Sequence, residues 1–251
     1  MPPLDAKSPK AETKSPLELV GLLGVDEYRI PNTNITHKEI HTQHGCIITL
    51  WHEAVNDKNA PTAAKPEAEK TQSYVMAMGG ANGGLLGPSG GLYHELAVSL
   101  AQAGTTFVRV HYRKPGRLED CLLDVASVVD LAARSGGQKF VFIGHSFGGA
   151  VAIQAGVTLA NFTSGVVTLA TQSAGCEAAG RLGDTPLLLV HGGKDEILNP
   201  QNSQLVASMA AENAEVVIYP QAKHGLVECR EELKALLEFK ILGWLEISEP
   251  Q

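Results

Sequence analysis

The residues best placed to do chemistry lie between Lys139 and Gly156, in the stretch KFVFIGHSFGGAVAIQAG. Phe140, Val141, Phe142 and Ile143 form a short apolar run of strand formers. Gly144-His145-Ser146-Phe147-Gly148-Gly149 interrupts it, and Ala150, Val151, Ala152 and Ile153 resume with helix-compatible residues. That order predicts strand, sharp turn, helix. A Gly-x-Ser-x-Gly motif in this setting reads as a nucleophile elbow, a strained turn that lifts the serine hydroxyl clear of the sheet. Glycine is required at 144 and 148, because a Cβ at either place would collide with neighbouring backbone where the helix starts against the strand. The first N–H groups of that helix have no intrahelical acceptor and aim at the space above Ser146. The chemistry on offer is attack on a carbonyl carbon. A serine hydroxyl is a poor nucleophile at neutral pH and needs a base within hydrogen-bond reach.

The elements that must hold this turn follow from hydrophobic periodicity. Tyr74 to Met78 is predicted as a strand, Leu92 to Ala103 as an amphipathic helix closed by Gly104, and Thr106 to His111 as a β-branched strand. A helix over Leu118 to Ala133, the strand Phe140 to Ile143, a helix over Gly148 to Leu159 and a strand over Gly165 to Ala170 continue the alternation. Pro186 to Val190, a helix around Gln201 to Ala211, a strand over Glu215 to Tyr219 and a helix from Glu231 to Trp244 complete it. Such crossovers imply parallel strands. Ahead of them, Lys38 to Ile40 and Cys46 to Trp51 are candidate antiparallel edge strands joined by a turn at Thr42-Gln43-His44-Gly45. Asn56 to Thr71 reads as a polar surface loop.

From Tyr74 to Trp244 the chain resembles the α/β-hydrolase family. Three segments carry the likeness: GHSFGG at the elbow, PLLLVHGGKDEILNP, which resembles the strand and loop that present the family's acid, and YPQAKHGL, which resembles its histidine loop. Their order, serine then acid then histidine, is that of the family. The resemblance implies an α/β fold: a mostly parallel, doubly wound sheet of about eight strands with helices on both faces and antiparallel strands at the N-terminal edge. It implies Ser146 as nucleophile, Asp195 as acid and His224 as base, with Glu196 as substitute acid. Asp184 precedes its strand and belongs at the opposite end of the sheet. It places the oxyanion donors at the N–H of Phe147 and in the loop Gly79 to Gly84, with Gly80 ahead of Ala81. In that loop Gly83→Ala is expected to be tolerated unless the position needs positive φ. Asn82, Gln172 and Ser173 are candidate substrate-binding residues. His145 and His191 read as structural, and Arg113 either as a solvated loop residue or as a contact for an anionic substrate group.

Composition narrows the function further. At 251 residues, 44% hydrophobic and 19% charged, the chain suits one globular domain, placed here at residues 17–251 behind a disordered segment 1–16. A formal charge of −7 without a basic cluster argues against nucleic acid or an anionic membrane as partner. No apolar run is long enough to span a bilayer. The four cysteines, Cys46, Cys121, Cys176 and Cys229, show no paired or zinc-finger spacing and read as reduced thiols, consistent with a cytoplasmic location. His37, His41 and His44 do not have the His-Glu-x-x-His spacing and no acidic ligand falls into register by sequence, so no metal and no cofactor are expected. Only Thr171 to Thr185 separates two predicted strands where many relatives insert a helical lid. An uncovered site favours a small or exposed ester, thioester or amide. The resulting expectation is a carboxylesterase-like serine hydrolase. A thioesterase or peptidase on the same residues, or a ligand receptor or interaction module with little turnover, stands as the alternative.

Overall fold

The computed structural model describes residues 14–55, 72–210 and 212–247. Nine strands form one sheet: β1 (Leu22–Arg29), β2 (Ile35–Thr42), β3 (Gly45–His52), β4 (Gln72–Met78), β5 (Thr106–His111), β6 (Gly137–His145), β7 (Thr163–Leu169), β8 (Leu187–Gly192) and β9 (Ala214–Tyr219). Their spatial order is β1-β2-β3-β5-β4-β6-β7-β8-β9. The first three strands and the β3–β5 pair are antiparallel, and every pairing from β5 through β9 is parallel. The expected hairpin is present, with Thr42 opposite Gly45. β1 was not anticipated, because its residues are half-buried to exposed and give no alternation.

Six α-helices accompany the sheet among the described residues: α1 (Pro16–Leu19), α2 (Leu92–Gln102), α3 (Leu118–Arg134), α4 (Phe147–Thr158), α5 (Gln201–Met209) and α6 (Arg230–Leu245). One apolar layer packs α3, α4 and α5 against the sheet around Met76, Val108, Phe140, Phe142 and Val206. The other packs α2 and α6 against Val75, Phe107, Val141, Ile143 and Leu188. The central strands alternate between these layers, so both faces of β6 are buried and the strand reads as a continuous apolar run.

Ser15 and Pro16, expected to lie in a disordered segment, belong to a capped helix. Ser15 caps α1: its Oγ accepts the Glu18 N–H at 3.4 Å while Glu18 accepts the Ser15 N–H at 2.7 Å. This is a capping box, and Leu17 beneath it is buried against α3. Residues 1–13 and the surface loop expected at Asn56 to Thr71 lie outside the described residues. The segment between β7 and β8 holds one short 3₁₀ turn, Glu177–Arg181, and no lid domain. No described helix is long and apolar enough to cross a membrane.

Candidate active site

Ser146 links β6 to α4 with φ 56° and ψ −122°, a backbone conformation that L residues rarely adopt. It is held there by its N–H, which donates to Leu169 O at 2.8 Å, and by its carbonyl, which accepts from the Gly149 N–H at 2.9 Å. The glycines around it are required by space. A Cβ on Gly144 would lie 1.8 Å from Gly148 O, and one on Gly148 would lie 2.4 Å from Gly79 O. Phe147 opens α4, so its N–H belongs to the first helical turn, beside Ser146.

The loop after β4 reaches the same point. A Cβ built on Gly80 would sit 3.6 Å from Ser146 Cβ, whereas Ala81 is exposed and turns its carbonyl toward Gly116. The loop is stitched down on all sides. Tyr93 Oη donates to Met78 O at 2.9 Å, the Gly83 N–H to Gly80 O at 2.8 Å and the Gly84 N–H to His111 Nδ1 at 2.9 Å. Arg109, buried on β5, donates to Leu85 O at 3.3 Å and to His52 Nε2 at 2.9 Å. Gly83 has φ 69°, and a Cβ there would lie 2.8 Å from His111 Nδ1, so the exception foreseen for Gly83→Ala applies and the substitution is strained twice over. Asn82 is exposed at the loop tip.

Asp195 follows β8 with its carboxylate fully enclosed. Its Oδ2 accepts from His224 Nδ1 at 2.8 Å and from His191 Nε2 at 3.1 Å, and its Oδ1 from the N–H groups of Ile197 and Leu198 at 2.8 and 2.9 Å. Burial pushes the carboxyl up, but the bonds from Leu198, His224 and Ile197 outweigh it and hold it below the usual carboxylate range. Glu196 points into solvent and pairs with Lys223 at 3.1 Å. Asp184 lies at the far end of β8 from this cluster. His224, in the loop after β9, is tied to the elbow through His145: the two rings lie 4.9 Å apart, and His145 Nε2 donates to His224 O at 3.0 Å. Among the described residues no hydrogen bond joins the Ser146 hydroxyl to His224.

The two histidines read as structural, His145 and His191, each make hydrogen bonds that hold neighbouring loops in place. His191 is fully buried, and its Nε2 faces two acceptors, Asp195 Oδ2 and Leu198 O. The proton therefore sits on Nε2, leaving Nδ1 to accept from Ser203 Oγ at 2.7 Å. Ser203 and His191 thereby hold the Asp195 carboxylate that faces His224. No sequence spacing announces it, since Ser203 lies in α5 and meets His191 only in the fold. Gln172 donates to Ala174 O and Ser173 to Asn202 Oδ1, each half-buried beyond β7. Arg113 is not a solvated loop residue: its side chain is 2% exposed and ion-paired with the enclosed Asp124 of α3. A charge this deep needs a partner, and α3 supplies one from its buried face.

Burial also holds two histidines neutral. His145 is pulled down to about 4 by burial, against the opposing bond to His224 O, and His52 to about 4 by burial and the Arg109 guanidinium. Unfolded histidines take up protons below about pH 6.5, whereas these resist until about 4. The unfolded state then binds more protons, so stability should fall as pH drops through that window, by a few kcal/mol for the two together. Urea unfolding followed from pH 7.5 to 4 checks this, and His145→Gln should flatten the slope. An unchanged slope would assign the loss to other groups.

The sheet order, the elbow at Ser146 and the short β7–β8 connection define an α/β-hydrolase fold without a lid domain. The sequence profile of the dienelactone hydrolase family matches residues 96–246, and the chain belongs to that family and is a hydrolase. No curated protein matches it in sequence. Among solved structures it resembles Est1E from Butyrivibrio proteoclasticus (15% identity, TM-score 0.66, 84% of this chain and 99% of that one). It also resembles the dienelactone hydrolase from Anabaena variabilis (13%, 0.66, 87% and 98%). A third is XC6422 from Xanthomonas campestris, a serine hydrolase without lid (18%, 0.64, 88% and 99%). At these identities the likeness speaks for the fold.

Proposed function

We propose that this chain is a serine hydrolase that cleaves a small or exposed carboxylic ester through an acyl-enzyme. The observation that carries the reading is the conjunction of Ser146 on a strained strand-to-helix turn with a His224–Asp195 pair docked against that turn through His145. Ser146 Oγ attacks the substrate carbonyl carbon as its proton passes to His224 Nε2. The bond to the leaving oxygen then breaks as His224 returns the proton to it. A water molecule, deprotonated by the same imidazole, attacks the acyl-enzyme and releases the acid. Asp195 accepts from His224 Nδ1, which fixes the tautomer and stabilises the imidazolium. The N–H groups of Phe147 and Gly80 face the carbonyl oxygen as it gains charge.

Exposed side chains close in sequence to these residues bear on substrate class. Leu86, Ile197 and Val227 are exposed apolar side chains, one in each loop that carries a part of the proposed machinery, and they suit an apolar acyl or alcohol group. Lactones, the small cyclic esters of the family's name, belong in the same screen. The four thiols, none in a disulfide, fit a cytoplasmic protein. The test is labelling by a fluorophosphonate probe together with turnover of p-nitrophenyl esters of graded chain length. A folded protein that neither labels nor turns over would leave the receptor reading in its place.

The oxyanion assignment has its own test. Gly80→Pro deletes the donor N–H, and kcat should fall by about 10² or more with KM changing far less, because the donor acts on charge that develops in the transition state. Ala81→Pro is the comparison for register. Retention of full kcat by Gly80→Pro with loss in Ala81→Pro would move the donor to Ala81.

A further inference from the structure

We propose that the outer face of the N-terminal edge of the sheet carries a binding site for a zinc-class divalent metal ion, with His41, Cys46, Glu39 and Asp26 as its ligands. The four side chains come from three adjacent strands. Asp26 of β1 stands directly opposite Glu39 of β2, and His41 of β2 directly opposite Cys46 of β3. Cross-strand partners share a face, and so do residues two apart on one strand, so all four project on one side while Ile40 and Ile47 are buried on the other. His41 Nε2 lies 3.0 Å from Asp26 Oδ2 and 3.8 Å from Glu39 Oε2. The donor atoms of Glu39, His41 and Cys46 all fall within 4.8 Å of one another. A tetrahedral ion with bonds of about 2.0 Å to nitrogen and oxygen and about 2.3 Å to sulfur needs ligand atoms roughly 3.3 to 3.6 Å apart. Small side-chain rotations on a rigid hydrogen-bonded scaffold close that difference.

The charge pattern supplies an independent argument. Like charges directly opposite each other on neighbouring strands are destabilising, and Asp26 faces Glu39 in that way. Among the described residues neither forms an ion pair with a lysine or arginine. Their partners are His37 and His41. The nearest lysine, Lys38, projects on the other face, where it pairs with Glu27 and lies over the Trp51 ring. A bound cation resolves the repulsion. His37 Nδ1 stands 3.9 Å from Glu39 Oε1, the carboxylate oxygen turned away from His41, as an outer partner that orients a ligand. One imidazole, one thiol and two carboxylates form a borderline donor set that suits zinc over magnesium or calcium. The expectation of no metal rested on spacing within one segment. Asp26 comes into register with Glu39 and His41 only when β1 and β2 pair. The ion would cross-link three strands at the sheet edge, on the far side of β5 from the β4 loop that meets Ser146.

The test uses the full chain, reduced and stripped with a chelator, titrated with Zn²⁺ by calorimetry and with Co²⁺ by optical absorption. The expected result is one ion per chain, a cobalt–thiolate charge-transfer band with tetrahedral d–d bands, and a zinc-dependent rise in Tm. Cys46→Ser should abolish the charge-transfer band and weaken zinc binding by about a hundredfold or more, while His37→Ala should cost about tenfold. His44→Gln, exposed in the β2–β3 turn, should change nothing. Asp26→Asn and Glu39→Gln, isosteric changes on the exposed face, keep the test open should Cys46→Ser fail to fold. Absence of zinc binding by the wild type, or binding unaltered by Cys46→Ser and Asp26→Asn, would overturn the proposal and leave only adventitious histidine binding.

Discussion

Ser146→Ala should abolish both ester turnover and fluorophosphonate labelling, with kcat lowered by about 10⁴ to 10⁶. The hydroxyl is the only group of the site that forms a covalent bond in the proposed sequence, and no neighbouring side chain can replace it. His145, the nearest nucleophilic ring, is held neutral and donates its Nε2 proton to His224 O. Stability should change little, since the strain at φ 56° belongs to the backbone and alanine carries the same Cβ. His224→Gln should be nearly as inactive, while Asp195→Asn should retain more, because the carboxylate orients and stabilises the base without touching substrate. Activity of Ser146→Ala at the wild-type level, with an unaltered circular dichroism spectrum, would mean that another residue attacks the carbonyl. Equal activity of Asp195→Asn and wild type would remove Asp195 from the mechanism. Glu196 would not take its place without a rebuilt loop, since its side chain points to solvent.

What the sequence made legible, and what it did not, divides along one physical line. The parallel half of the sheet could be read strand by strand, because β4 to β8 bury both faces and stand out as apolar runs between helices. Thr106 to His111 matches β5 at both ends. The glycines of the elbow could be read because a close backbone approach admits no other residue. β1 escaped notice because neither face of this edge strand is buried, which leaves no period to detect. The partners of His191 and Arg113 were illegible for a different reason. His191 and Ser203 are twelve positions apart, and Arg113 finds Asp124 eleven positions on, so each contact exists only after a helix has packed on the sheet. A lone polar residue in an apolar stretch marks where such a partner is needed. It does not say which one answers. The capping box at Ser15 is the contrary case, a local signal present in Ser15-Pro16-Leu17-Glu18 that the surrounding lysines and prolines masked.

Gly144→Ala should be the most damaging single-methyl addition in the described chain. Its Cβ would lie 1.8 Å from Gly148 O and 2.2 Å from Gly148 C, both backbone atoms of the first turn of α4. A flexible side chain could swing aside, but this carbonyl is backbone and moves only if the first turn of α4 shifts. Gly148 is itself packed closely, with Gly79 O 2.4 Å from where its own Cβ would stand, so a shift toward the β4 loop has no room. The expected loss is about 4 kcal/mol or more, read as a collapse of the urea midpoint or as failure to accumulate folded protein. Gly243→Ala is the control for the same chemical change: it lies in α6 with no atom within 4 Å of the new methyl group, and should stabilise by about 0.5 to 1 kcal/mol. Any folded Gly144→Ala protein should also lose probe labelling, because the tilt that accommodates the methyl group carries the Phe147 N–H away from the Ser146 hydroxyl. Wild-type stability in Gly144→Ala would mean that β6 and α4 do not meet as closely as the turn at Ser146 requires, and the strained geometry assigned to the nucleophile would fall with it.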